Sequence, residues 1–160
     1  MKDKKSRNIR TGAFGPPTWV SMTLIAMGYP ESNPTKEQRK TYSIYFRLIG
    51  EVLPCNLCRT SYRKFVKKVP LNSKVLSWRR NLVFWVFKIH NLVNKNLGCR
   101  VLNRKQLESK FRYYEQFRAT GCSPKIGGCI KANRKMRKPK KLKVITICDN
   151  KAVNKTKWKQ

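Results

Sequence analysis

Two cysteines stand three positions apart in the stretch GEVLPCNLCRTSY, residues 50–62, directly after Pro54. The spacing of Cys55 and Cys58 is typical of a redox pair that alternates between dithiol and disulfide, and it is also half of a structural zinc site. Zinc would need four ligands, and the chain offers one histidine, His90, and four scattered cysteines besides the pair. We therefore favour a redox pair, with a zinc site and two plain core cysteines as the alternatives.

A second group of polar residues lies in the apolar stretch FWVFKIHNLVNKNLG. On a helix His90 and Asn94 share one face, with Asn91 beside them and Trp85 about a turn earlier. A lone histidine on an apolar helix is more often a satisfied core residue than a ligand. Two asparagines in the same turn add buried polar groups that need partners. A flat heteroaromatic ligand with polar edges would supply both stacking and hydrogen bonds.

Helical periodicity predicts the elements that position these residues, and no alternating strand pattern of useful length precedes residue 142. We expect the redox pair in the first turn of a helix after Pro54, where free backbone N–H groups and the helix dipole lower a thiol pKa. The other predicted helices run from Thr18 to about Gly28 with Thr18 as N-cap, from Thr35 with Gln38 in a capping box to Pro54, through the apolar stretch to Gly98, and from about Arg104 to Arg118.

The charge distribution separates a domain from an extension. The chain has 160 residues, and 38 Lys and Arg against 7 Asp and Glu give a net charge of +31, which predicts attraction to nucleic acid, anionic membranes or acidic proteins. Residues 131–160 hold twelve Lys or Arg and one acid, Asp149. We predict an all-α domain over residues 12–122 and a basic, flexible extension over residues 123–160.

The motifs FGPPTWVSMTLIAMGYP, LPCNLCRTSY and FWVFKIHNLVNKNLG, in this order and spacing, resemble the FAD-dependent sulfhydryl oxidases of the Erv/ALR type. The resemblance covers about residues 12–122. It implies a bundle of four helices and a short fifth one. The bundle as a whole would cradle FAD, and members of the family are usually dimeric. It also implies the reaction, in which a protein dithiol reduces the Cys-x-x-Cys disulfide, and the electrons pass through FAD to oxygen and give hydrogen peroxide.

The resemblance assigns roles to individual residues. Cys58 would face the flavin, and Cys55 would exchange with incoming thiols. The residues that would contact FAD are Gly15, Trp19, Thr23, Glu51, Trp85, His90, Asn91, Asn94 and Lys95, with Trp19 near the isoalloxazine and the last four on the adenine and phosphate side. Thr23 departs from the family pattern, which usually has a histidine there.

Four cysteines remain outside the redox pair. Relatives often use a second pair as an electron shuttle and a further pair as a structural staple. We favour a local Cys122–Cys129 disulfide across the loop CSPKIGGC, with a Cys99–Cys122 staple as the rival and Cys148 as a mobile shuttle thiol. A staple that closes the loop from Cys99 to Cys122 would contribute roughly 3 kcal/mol.

The setting and the partners are expectations of the same kind. The basic start of the chain lacks the apolar run of a signal peptide, and no stretch could span a membrane. The FGPPTW and GYP motifs look more like the branch encoded by large cytoplasmic DNA viruses, so we expect the host cytoplasm or the virion before the mitochondrial intermembrane space. Expected partners are protein dithiols, a thioredoxin-like or small viral redox protein, a second copy, and nucleic acid on the tail. The alternative function is a basic nucleic-acid-binding protein with a structural zinc site.

Overall fold

The structure is a computed structural model that describes residues 9–116. This part of the chain folds into five α-helices. They are α1 (Thr11–Met27), α2 (Lys36–Val52), α3 (Asn56–Lys68), α4 (Arg79–Asn96) and α5 (Arg104–Glu115), with a short 3₁₀ helix (Val75–Ser77) before α4. Residues 9–116 contain no strand, which confirms the predicted all-α class. No helix among them is long and apolar enough to cross a bilayer. The predicted extension, residues 123–160, lies outside the described residues.

The first helix begins earlier than predicted. It starts at Thr11 and contains Pro16 and Pro17, so the predicted start at Thr18 is wrong. The Thr18 hydroxyl donates to the Phe14 carbonyl at 2.7 Å, one turn back, and caps nothing. Each proline removes one backbone hydrogen bond to the residue four positions earlier. Those positions, 12 and 13, are exposed, where water can take the place of the missing donor.

Local signals define the ends of the other helices. Thr35 and Gln38 form the predicted capping box at the start of α2, with bonds of 3.1 and 2.8 Å. Asn103 and Gln106 form a second one at the start of α5, which the sequence analysis missed. Gly98 follows α4 with a φ of +66°, the left-handed conformation expected of a glycine at this position.

Helix α4 lies at the centre of the bundle, and α1, α3 and α5 pack against it. Its fully buried side chains form the core together with residues from the other helices. The Trp85 ring contacts the Phe46 ring of α2 edge to face, with centroids 5.6 Å apart. Because the core is built on α4, the polar residues near its end are held on a rigid element.

A close approach of α2 and α3 fixes the position of the cysteine pair. The buried Tyr62 ring of α3 lies directly against Gly50 of α2, where any Cβ would clash with it. The Tyr62 hydroxyl donates to the Phe46 carbonyl at 2.7 Å. Burial raises the pKa of this phenol, so it stays protonated and keeps the bond.

Candidate functional site

The cysteine pair lies where the sequence predicts it, at the start of α3, and its two sulfurs form a disulfide. Cys55 is the N-cap, and its Sγ accepts a hydrogen bond from the Cys58 backbone N–H at 3.2 Å. Both cysteines are half-buried. A sulfur at a helix N-cap is stabilised as a thiolate by the helix dipole and the free N–H groups. The position therefore suits a disulfide that opens and closes.

Contacts from two sides hold the turn before the disulfide. The Arg59 guanidinium donates to the Leu53 carbonyl, at the end of α2. From the other side the Ile9 backbone N–H donates to the Pro54 carbonyl at 3.0 Å. The second bond places the beginning of α1 beside the cysteine pair.

An aromatic pair connects α1 with α4. The rings of Trp19 and His90 stack with centroids 4.2 Å apart and planes inclined by 8°. Burial, and secondarily the charge of Lys110, lower the pKa of His90 to about 3. The imidazole is therefore neutral at physiological pH and acts as a flat, apolar-faced ring with two polar edge atoms.

Lys110 of α5 is a candidate ligand-binding residue that the sequence analysis missed. It is half-buried, its charge acts on His90, and burial lowers its own pKa. A partly desolvated cation is stabilised by an anionic ligand group. The sequence could have indicated that Lys110 is partly buried, because position 110 adjoins the buried stripe of Leu107, Phe111 and Tyr114.

Three of the predicted contact residues lie at intervals of four on α1. Gly15, Trp19 and Thr23 share one face and span about 12 Å along the axis. A Cβ on Gly15 would meet no atom within 4 Å, so space is open beside it. The buried Thr23 hydroxyl donates to the Trp19 carbonyl at 2.7 Å and presents no free donor. This face therefore has open space beside Gly15 toward its N-terminal end and carries the Trp19 ring, stacked on His90, at its middle.

The asparagines of α4 bind the protein itself. The Asn91 side chain donates to the Leu102 carbonyl at 2.8 Å and accepts from its N–H at 3.0 Å. The buried Asn94 amide donates to the Arg100 carbonyl at 3.2 Å. Lys95 is exposed. Both asparagines therefore hold the loop between α4 and α5 against the helix, which supplies the partners that their burial requires.

Glu51 and Trp85 lie in other surroundings. The exposed Glu51 carboxylate pairs with the Arg63 guanidinium, whose hydrogen bonds lower the pKa of the acid. Trp85 is 1% exposed, and its indole N–H donates to the Val69 carbonyl at 2.8 Å. Both side chains join helices or loops of the bundle, and their predicted contacts with FAD stay predictions.

The remaining cysteines belong mostly to the part of the chain outside residues 9–116. Cys99, which follows α4, is disulfide-bonded. Cys122, Cys129 and Cys148 lie outside the described residues, so the predicted pairings there stay predictions. Among residues 9–116 no three His, Cys, Asp or Glu side chains cluster as metal ligands would.

Comparison with known proteins gives consistent matches. Residues 16–118 match the Erv1 / Alr family. Over 91 residues the chain is 43% identical to a probable FAD-linked sulfhydryl oxidase of Acanthamoeba polyphaga mimivirus, a match that covers 57% of this chain and 61% of that protein. Over 103 residues it is 28% identical to the FAD-linked sulfhydryl oxidase of African swine fever virus, with 64% of this chain and 81% of that protein covered.

The fold is similar to that of a solved domain. The crystal structure of the FAD binding domain of Erv1 from Saccharomyces cerevisiae aligns with a TM-score of 0.58 at 22% identity, over 68% of this chain and 97% of that domain. The chain spans about half to three fifths of the length of the mimivirus and plant relatives that it matches.

Proposed function

This chain belongs to the Erv1 / Alr family, and we propose that it is an FAD-dependent sulfhydryl oxidase that forms disulfides in protein substrates. The observation that carries the proposal is the Cys55–Cys58 disulfide at the N-terminus of α3. The segment that leads into α1 is hydrogen-bonded to Pro54, directly before this disulfide. Matches to viral proteins named as FAD-linked sulfhydryl oxidases support it.

The residues around Trp19 fit FAD by their chemistry. The half-buried Trp19 ring, which stacks on His90, is suited to stack on a heteroaromatic ring, and Lys110 offers a half-buried cation for a phosphate. The open space beside Gly15 adds room on the same face of α1. When bound, FAD supplies a two-electron acceptor that oxygen can reoxidise, with hydrogen peroxide as the product.

The protein's own residues perform the thiol exchange. A substrate thiolate attacks Cys55 Sγ, which forms a mixed disulfide and releases Cys58 as a thiolate. The second substrate thiolate then attacks the substrate sulfur of that mixed disulfide and releases Cys55 as a thiolate. The substrate leaves oxidised by two electrons, and the Cys55–Cys58 pair is reduced by two. The Cys58 N–H, 3.2 Å from Cys55 Sγ, stabilises the negative charge that this second step leaves on Cys55.

The active unit is, in this proposal, a homodimer joined through α2. Ile44, Leu48 and Val52 repeat every four residues and are 45, 56 and 74% exposed, an apolar stripe on the face of α2 away from the core. A stripe of this kind is typical of a surface that pairs with another chain. Leu48→Glu should convert the dimer to a monomer in light scattering. An unchanged mass for that variant would exclude this face.

The setting follows the viral relatives. The proposal places the enzyme in the host cytoplasm or the virion, where a thioredoxin-like or small viral redox protein would be a suitable partner. The basic segment over residues 131–160 would add electrostatic binding to nucleic acid. Fractionation of infected cells and virions with an antibody against the chain would test the location.

The stoichiometry of turnover tests the function. With dithiothreitol in air, the purified protein should produce one hydrogen peroxide for each two thiols consumed. The double variant Cys55→Ser/Cys58→Ser should bind FAD and produce no peroxide above the uncatalysed rate. A double variant as fast as the wild type would show that free flavin or another cysteine carries the reaction.

A further inference from the structure

The exposed face of α3 is cationic along its length and begins at the disulfide. The helix contains five Lys or Arg and no Asp or Glu. Arg63, Lys64, Lys67 and Lys68 are exposed on it. Leu57, between the two cysteines in sequence, is 71% exposed and lies at the disulfide end of the same face. We call the exposed side chains of Leu57, Lys64, Lys67 and Lys68 the α3 face.

The lysines of the α3 face have no acidic partner within residues 9–116. The only ion pair of α3 in that part of the chain joins Arg63 to Glu51, and the other two recorded pairs use Glu31 and Glu108. Three uncompensated cations on one helical face produce a positive potential beside the disulfide. An anionic group arriving there would be attracted without having to displace a carboxylate.

We infer that the α3 face recognises the substrate, and that the substrate is a protein or peptide dithiol with acidic residues close to its cysteines. This inference rests on the proposed function and adds the class of substrate to it. Leu57 would contact an apolar residue next to the reacting cysteine. The three lysines would then attract carboxylates farther along the substrate chain.

The geometry of α3 sets the spacing of those carboxylates. Lys64 and Lys68 follow Leu57 by seven and eleven residues, which corresponds to about 10 and 16 Å along a helix axis. An extended peptide covers about 3.3 Å per residue. Acidic residues about three to five positions from the substrate cysteine would therefore lie over the lysines.

The apolar end of the face favours a protein over a nucleic acid. A phosphate backbone would find cations on the α3 face, but it brings neither a thiol for the disulfide nor an apolar group for Leu57. A cysteine-containing acidic segment brings all three features. Its attraction should act mainly on the rate of encounter, and salt should screen it.

The test compares three dithiol peptides that differ only in charge. Each has the same cysteine pair with three Glu, three Gln or three Lys placed three to five residues away. With the full-length, FAD-loaded protein at low salt, kcat/KM should be about ten-fold higher for the Glu peptide than for the Gln peptide, and lowest for the Lys peptide. The preference should shrink toward unity in about 0.5 M salt.

A matched pair of variants separates the α3 face from the overall charge. Lys64→Gln/Lys67→Gln/Lys68→Gln removes three charges from the face, and Lys88→Gln/Arg104→Gln/Lys105→Gln removes three exposed charges from α4 and α5. Each peptide rate is divided by the dithiothreitol rate of the same variant, which corrects for changes in folding or flavin content. The ratio of the Glu-peptide rate to the Gln-peptide rate should fall about five-fold in the first variant and less than two-fold in the second.

Several results would overturn the inference and leave the proposed function intact. Equal rates for the Glu and Gln peptides would exclude acidic recognition, and equal losses in both triple variants would assign the preference to net charge alone. If the first variant lost affinity for a duplex DNA of 20 base pairs and kept its peptide preference, the α3 face would bind nucleic acid. Absence of any dithiothreitol oxidation by the wild type would instead remove the proposed function.

Discussion

At the scale of single residues, the site combines a reactive pair with a passive surface. In the proposed function Cys55 and Cys58 carry out the thiol chemistry, and Cys55 is also the N-cap of α3. In the same proposal Trp19, His90 and Lys110 take no part in the thiol exchange and provide a stacked aromatic pair and a half-buried cation. Replacing a member of one group should therefore have a different effect from replacing a member of the other.

Cys58→Ser should abolish turnover and leave FAD bound, because the thiol takes part in the reaction but contributes little of the cofactor's buried surface. We expect oxygen consumption with dithiothreitol to fall by at least about 10³-fold, as for other residues that act covalently. The ratio of flavin to protein absorbance should stay within about a tenth of the wild-type value. Cys55→Ser is a second test of the pair, and it should block oxidation of protein dithiols. Loss of flavin with full residual activity in Cys58→Ser would contradict these roles.

His90 should make the protein less stable in acid. Its pKa of about 3 in the folded state lies below the ordinary value of 6.5, so the unfolded chain binds the proton first as the pH falls. The free energy of unfolding therefore keeps its full value, as far as His90 is concerned, above about pH 6.5. Between about pH 6.5 and pH 3 it falls by about 1.4 kcal/mol per pH unit. His90→Phe keeps a ring beside Trp19 but cannot bind the proton.

Urea unfolding of the wild type and His90→Phe at pH 7 and pH 5 measures this effect. The difference in unfolding free energy between the two proteins should shift by about 2 kcal/mol against the wild type at the lower pH. The comparison cancels the titration of carboxylates common to both. A constant difference would mean that His90 has an ordinary pKa in the fold.

At the scale of elements, local signals were reliable where one residue type determines a conformation. The Thr35 capping box and the left-handed Gly98 were predicted and are present. The start of α1 was mispredicted because Pro16 and Pro17 look like a boundary, whereas the exposed first turns of the helix tolerate them. The partners of Asn91 and the proximity of Lys110 to His90 depend on how α4 and α5 pack, which periodicity does not specify.

Gly50→Ala should destabilise the protein and disturb the cysteine pair. A Cβ there would clash with the Tyr62 ring and strain the bond from Tyr62 to the Phe46 carbonyl. Overpacking of this kind costs about 1 to 3 kcal/mol in urea unfolding. Gly12→Ala is the matched control, because a Cβ at that exposed helical position meets nothing within 4 Å. Equal stability of both variants would show that α2 and α3 can separate freely.

At the scale of the whole molecule, the net charge of +31 is compatible with both hypotheses about the function, so other observations have to distinguish them. The alternative of a nucleic-acid-binding protein with a structural zinc site has no support from the comparisons, and the matched family accounts for the cysteine pair. Charge alone still predicts affinity for polyanions. The proposed oxidase activity and the expected polyanion affinity should be separable, because the matched residues end at 118 and the densest charge lies beyond them.

Removal of residues 131–160 should weaken binding to nucleic acid and leave the oxidase active. Twelve of the 38 basic residues lie in this segment, so the truncated protein should elute from immobilised DNA at a clearly lower salt concentration. Its dithiothreitol oxidation per bound flavin should match the full chain. Elution at the same salt concentration would assign the polyanion affinity to the helical domain.

The most direct test of the central claim is a visible absorption spectrum of the purified protein, recorded before and after anaerobic addition of dithiothreitol. We predict a flavin absorption band in the blue part of the visible spectrum that disappears when the thiol is added and returns when air is admitted. That sequence of changes would demonstrate electron flow from thiol through flavin to oxygen. A colourless protein that releases zinc on acidification would contradict the account.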